Sequence, residues 1–260
     1  MSAAAGTART ARDGGVWTIT IANPAKRNAL DDPTRKALLA ALDEAMTADD
    51  CRVVVLTGEG PTFCAGGDLP SMPTDDVPAI AARMGELHRI AERLLEGPRP
   101  VIAAVEGAAY GSGLSMVAAA DVVVAARDAR FCAPFTKVGV APDVGLLWSL
   151  PRRIGLGRAR QMALFGDPIT ADDAVRIGLV ERLVEPGHAT ALAIDLARQL
   201  CDRAPLALAA TKRLVLAGAG PLQSVLAGEL VEQQALLGTA DFDEGRRAFF
   251  ERRPAKFGGT

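Results

Sequence analysis

The chain has 260 residues, 49% of them hydrophobic and 23% charged, which suits one large domain, or a domain with an appendage, and excludes disorder as the default. Its 29 basic and 31 acidic side chains give a net charge of −2, which excludes a whole-molecule field drawing it to nucleic acid or a membrane surface. Four cysteines (Cys51, Cys64, Cys132, Cys201) without a C-x-x-C pair, and only His88 and His188, argue against a disulfide framework and a zinc site.

The N-terminal stretch carries Arg9 and Arg12 without a continuous apolar run, and no later segment reaches membrane-spanning length without charge or Gly/Pro interruption. A cytoplasmic protein is expected. A transit peptide would also be basic and rich in small residues, but residues 16–22 (VWTITIA) already alternate as a strand. A turn at Asn23-Pro24 follows, then helical spacing over 30–46 with Asp31 or Asp32 as cap and Pro33 in the first turn. Residues 52–57 form a buried-type strand, 58–67 a Gly/Pro-rich loop, and 79–95 a helix. The strand 101–105 runs into small residues at 107–113 and a helix over 114–120; 121–125 is the next strand and 131–133 a short one. Helices follow at 146–153, 156–165, 171–177 and 189–203, and everything from 205 to 250 reads as helical. Strands alternating with helices imply a parallel sheet with helical cover, so the fold class is α/β with a helical C-terminal region. The division expected is a core over residues 1–200, holding the site, and a helical region over 201–260.

Two glycine-rich turns are the candidate chemical motifs. Phe63-Cys64-Ala65-Gly66-Gly67-Asp68-Leu69 closes the second strand, and its small residues let the backbone approach a ligand. Gly107-Ala108-Ala109-Tyr110-Gly111-Ser112-Gly113 closes the third strand and opens a helix, whose N-terminus offers unpaired N–H groups and a positive dipole end. Together they can form a two-donor oxyanion hole; singly, each is an ordinary tight turn. A dinucleotide fold does not fit, since the first strand lacks a G-x-G-x-x-G turn.

These two motifs, with Pro100-Val-Ile-Ala-Ala-Val-Glu leading into the second, resemble the oxyanion-hole motifs of the enoyl-CoA hydratase/isomerase (crotonase) family. The resemblance extends through Asn23-Pro24, Asn28-Ala29-Leu30, Val138-Gly139-Val140-Ala141-Pro142, residues 171–180 and Asp243-Glu244-Gly245-Arg246-Arg247-Ala248-Phe249, and so spans nearly the whole chain. It implies a crotonase-type spiral of ββα units, C-terminal helices that mediate a homotrimer or homohexamer, and an acyl-CoA thioester as substrate. Coenzyme A is then part of the substrate, and no metal or redox cofactor is implied. The family's oxyanion donors match the N–H groups of Gly67 and Ser112. Lys26 and Arg27 are candidates for the CoA phosphates, and Ala65, Asp68 and Leu69 for the adenine side, against the plain alternative of a solvated basic loop. Phe249 and Arg252 match positions that approach the CoA of a neighbouring subunit.

Water addition in this family uses two glutamates, whose positions here fall on Ser115 and Phe135, and neither side chain serves as a base. Asp143, in Val140-Ala141-Pro142-Asp143-Val144-Gly145, coincides with an aspartate that is acid/base in dienoyl-CoA and ring-epoxide isomerases and nucleophile in a dehalogenase relative. The expected reaction is therefore a double-bond shift with Asp143 as acid/base. The alternatives are a hydratase with atypical residues, a hydrolase or dehalogenase with Asp143 as nucleophile, and a non-catalytic acyl-CoA binder. A structural alternative makes Asp143 the cap of the helix near Gly145. Glu86, His88 (a candidate for the acyl pocket), Tyr110 and Cys64 are weaker candidates.

Overall fold

In the computed structural model, which describes residues 6–218 and 220–260, the chain opens with a hairpin of β1 (Thr7–Asp13) and β2 (Val16–Ala22). The first five residues of the stretch read for a targeting signal, and position 219 of the helical stretch, lie outside the described residues. The sequence pattern located β2 and passed over β1, because TARTARD is polar and half-exposed, an edge strand with one neighbour. Asp31 caps α1 (Asp32–Thr47) by accepting the Thr34 N–H at 3.1 Å, with Pro33 in the first turn.

β3 (Val53–Gly58), α2 (Val77–Leu95) and β4 (Val101–Val105) follow as expected. The stretch read as a turn holds a short strand instead, β5 (Ala108–Tyr110), before α3 (Ser112–Ala119) and β6 (Val122–Ala126). Next come β7 (Arg130–Cys132), α4 (Leu146–Ile154), α5 (Leu156–Phe165), β8 (Ile169–Thr170), α6 (Ala171–Arg176), β9 (Arg182–Val184) and α7 (Ala189–Cys201). β8 and β9, of two and three residues, are too short to show an alternation, and the sequence pattern misses them, whereas it located β7. Three helices end the chain, α8 (Pro205–Ala217), α9 (Leu222–Leu236) and α10 (Ala240–Glu251).

The main sheet has the order β1-β2-β3-β4-β6-β9, antiparallel only between β1 and β2. Both its faces are covered over the central strands β3, β4 and β6, which are near-continuous apolar runs. Trp17, Ile19, Leu56, Ala103 and Val123 face the large core under α1, α2 and α3. Val16, Val55, Ile102, Ala104 and Val124 face α7, whose Ala189, Ala193 and Ala197 form a small-residue stripe against the sheet. Fully burying a Val, Ile or Leu side chain of these strands stabilises by about 1.5–3 kcal/mol. A second sheet, β5-β7-β8, carries Ala108–Tyr110 of the second glycine motif.

The C-terminal helices are tied back by polar contacts. The Lys212 ammonium donates to Leu94 O at 2.7 Å and pairs with Asp121 at 2.6 Å, and Arg52 Nη2 donates to Phe257 O at 2.8 Å. Helix α9 has no buried residue, and Leu222, Leu226 and Leu230 are exposed on it at four-residue spacing. No helix among the described residues is long and apolar enough to cross a membrane.

Candidate active site

The loop after β3 and the segment after β4 run side by side. Phe63 N–H donates to Glu106 O at 2.7 Å, Cys64 N–H to Ala108 O at 3.0 Å, and Tyr110 N–H to Cys64 O at 2.9 Å. This stitching brings Gly66 against Gly111, with φ 101° and 54°, a backbone region that L side chains adopt only at a cost. A methyl group on Gly66 would lie 3.0 Å from Tyr110 O and 3.5 Å from Gly111 Cα. Just beyond this contact stand Gly67 and Ser112, and neither N–H donates a hydrogen bond to any described residue. Ser112 is the first residue of α3, at the positive end of the helix dipole.

Both residues line a cavity of about 430 Å³, together with Ala65, Leu69, Met72, Ile80, Met84, Phe135, Val140 and Asp143. It opens at the carboxyl ends of the parallel strands, where ligands bind in open α/β sheets. A larger cavity of about 740 Å³ lies at the opposite ends of β4 and β6, beside Trp148 and Lys212. Its main charges are already spoken for: Lys212 is paired with Asp121 and Arg153 with Glu181. The smaller cavity is therefore the candidate active site.

Asp143 is its only lining carboxylate among the described residues. Ser112 Oγ donates to Asp143 Oδ1 at 2.9 Å. The capping alternative fails: α4 starts from Gly145 without a side-chain cap, and it is the main-chain oxygen of Asp143 that accepts the Leu146 N–H. Burial pushes the Asp143 carboxyl above its ordinary range, opposed by the Ser112 hydrogen bond and more weakly by the charge of Arg83. Val144, fully buried, has φ 49°, a strained conformation for a β-branched residue, and with Gly145 at φ 68° it bends the chain so that Asp143 precedes α4 on the cavity wall.

At the two positions where hydratases carry glutamates, Ser115 is fully buried and donates to Gly111 O at 3.2 Å, and Phe135 is an apolar wall. The Cys64 thiol is buried and pushed up to about 12 by desolvation, which leaves it a packing residue. His88, a weak candidate for the acyl pocket, is exposed on α2 and does not line the cavity, and Glu86 is paired with Arg35 at 2.6 Å. Ala65 and Leu69 stand on the cavity wall. Lys26 is held between Asp68 at 2.8 Å and Asp31 at 3.1 Å, so Asp68 braces its loop, while Arg27 is exposed. Phe249 and Arg252 are exposed at the end of α10 and do not line the cavity.

The sequence pattern missed Arg83. It stands one turn before Leu87 on the stripe that continues through Ile90 and Leu94 to the core, and it reaches the cavity wall. Its signal was a charge at a core-stripe position of an amphipathic helix.

This architecture has close relatives. The family model described as enoyl-CoA hydratase/isomerase matches residues 11–260. The chain belongs to the enoyl-CoA hydratase/isomerase family. It is 40% identical over 250 residues to a Rhodobacter capsulatus protein named "Probable enoyl-CoA hydratase", covering 94% of this chain and 95% of that one. It is 34% identical over 250 residues to the 1,2-epoxyphenylacetyl-CoA isomerase of Escherichia coli, with 94% and 95% covered. Among solved structures, an enoyl-CoA hydratase from Polaromonas superposes with a TM-score of 0.91 at 36% identity, over 97% of this chain and 100% of that one. One from Bacillus anthracis gives 0.92 at 29% identity, over 98% and 100%. The crotonase fold and membership among acyl-CoA enzymes follow; the relatives' names divide between hydratase and isomerase.

Proposed function

We propose that this enzyme is an enoyl-CoA isomerase in which Asp143 moves a proton between two carbons of the acyl chain. The N–H groups of Gly67 and Ser112 receive the thioester oxygen. Asp143 takes a proton from C2 of a 3-enoyl thioester, the electron pair enters a dienolate whose charge rests on that oxygen, and the same carboxyl returns the proton to C4, leaving the double bond between C2 and C3. Burial suits Asp143 to this exchange, because it brings the pKa of the carboxyl closer to working pH.

The observation that carries this reading is the Ser112–Asp143 hydrogen bond, which sets the cavity's one carboxylate beside an unpaired helix N-terminus while Ser115 and Phe135 occupy the hydratase positions. Coenzyme A arrives as part of the substrate, and the proposed chemistry uses no metal or redox group. Ala65, Asp68 and Leu69 form the adenine side, Arg27 meets the phosphates, and Lys26 holds the loop through its two carboxylates. The exposed leucines of α9 support assembly into a homotrimer or homohexamer, in which Phe249 and Arg252 would approach a neighbour's CoA. Four unpaired thiols suit the cytoplasm.

The test is purified wild type and Asp143→Asn with 3-enoyl- and 2-enoyl-CoA in labelled water. Migration without hydration, lost in the variant, is expected; hydration surviving in the variant would overturn the reading.

A further inference from the structure

The cavity holds a cation that the proton transfer does not use. Arg83 Nη2 is buried and has no hydrogen-bond partner among the described residues, and the contact of Nη1 is a weak one to Met84 Sδ at 4.0 Å. The guanidinium lies next to the first glycine turn, since a methyl group on Gly67 would come within 2.9 Å of Nη2. The cavity's other charge is Asp143, and the remaining wall is largely apolar, with Met72, Ile80, Met84 and Phe135. Burial pulls the arginine down from its ordinary value, opposed by the charge of Asp143 and more weakly by that of Glu86.

We propose that Arg83 is the acyl-recognition residue, binding an oxygen carried by the acyl group beyond its thioester, so that the natural substrates are oxygen-bearing acyl-CoA esters rather than plain hydrocarbon ones. The side chain as a whole is only half-buried, so in the free enzyme solvent reaches it beyond Nη2. A hydrocarbon chain that fills the cavity displaces that solvent and offers nothing in return, and a buried donor left unpaired is costly. An acyl oxygen restores the lost partner, and a site built around a polar group discriminates strongly against analogues that lack it. Carboxylate and hydroxyl groups share the acceptor chemistry, and the carboxylate adds a charge that the planar guanidinium matches in two places.

This inference rests on the acyl-CoA reading of the site but not on Asp143 chemistry. The experiment is calorimetric titration with saturated, unreactive CoA thioesters in length-matched sets of four to six acyl carbons, each comprising a hydrocarbon, an ω-hydroxyl and an ω-carboxyl member. In at least one set, wild type should bind an oxygenated member about tenfold or more tightly than the hydrocarbon. Arg83→Met should abolish or reverse that order, and Arg83→Lys should retain part of it for the carboxyl member, covering the case in which the methionine variant fails to fold. Preference for the carboxyl alone assigns an anionic substrate; preference for both assigns a neutral acceptor as sufficient. Equal or tighter binding of the hydrocarbon to wild type in every set overturns the proposal, as does a preference that survives Arg83→Met. Asp143→Asn should keep the preference even if double-bond migration proves absent, which separates the two claims; failure of every thioester to bind wild type would sink both.

Discussion

The Ser112 hydroxyl donates to Asp143 at 2.9 Å, so one residue offers the proposed reaction two groups: its main-chain N–H for the thioester oxygen and its side chain for the proton carrier. The hydrogen bond favours the ionised carboxylate while burial opposes it, and burial has the larger effect.

Ser112→Ala removes the side-chain bond and keeps the N–H. The Asp143 pKa then rises further, and the acid limb of the kcat/KM profile for isomerisation should move to higher pH than in wild type. A pH–rate series on both proteins checks this; superimposable limbs would show that the hydroxyl does not tune the base.

A carboxyl whose folded-state pKa is raised binds its proton more tightly in the native state, so its contribution to stability is greatest in acid and is lost as pH rises through the folded value. Asp143→Asn should therefore melt higher than wild type at neutral pH, with the gap closing below the ordinary carboxylate range. Thermal melts across that interval decide it, and a variant that melts lower at pH 7 would contradict the sign. Such a gain in stability with loss of turnover is the trade-off expected of a functional group held in an unfavourable place.

Gly66→Ala forces a side chain into φ 101° and to 3.0 Å from Tyr110 O, which should cost about 1–3 kcal/mol and displace the adjoining N–H of Gly67, lowering kcat. Gly60→Ala is the control: φ is 72° but nothing lies within 4 Å, so stability should drop while kcat holds. Chemical denaturation beside steady-state kinetics distinguishes the pair.

The proposed assembly through α9 would make stability depend on protein concentration. Dilution should lower Tm, sedimentation should give three or six copies, and Leu226→Glu, on a residue 51% exposed, should yield a smaller species whose Tm no longer changes with dilution. A wild-type monomer at all concentrations would remove α9 from the interface.

The parts of this protein that were readable from sequence are those whose function depends on residue type at a fixed place. Glycines at the ends of two strands pointed to close backbone approach, and Gly66 does abut Gly111. Asp143 stood out because the positions of the usual bases hold Ser115 and Phe135. What escaped depends on neighbours instead. β1 exists because β2 supplies its hydrogen bonds, and β5 because β7 and the Cys64 loop flank it. Arg83 was passed over because a charge on an amphipathic helix is assigned to solvent by default, whereas His88, on the same helix, was weighed and proves to be exposed.

Gly67 and Ser112 present main-chain groups to the cavity, whereas Asp143, Phe135 and Arg83 present side chains. A point substitution rewrites the second set without erasing the first. Laboratory evolution on this scaffold could therefore exchange the residues at 83, 115, 135 and 143 in combination, searching new reactions of thioester enolates, with the proposed main-chain anion cradle carried by every member of the library.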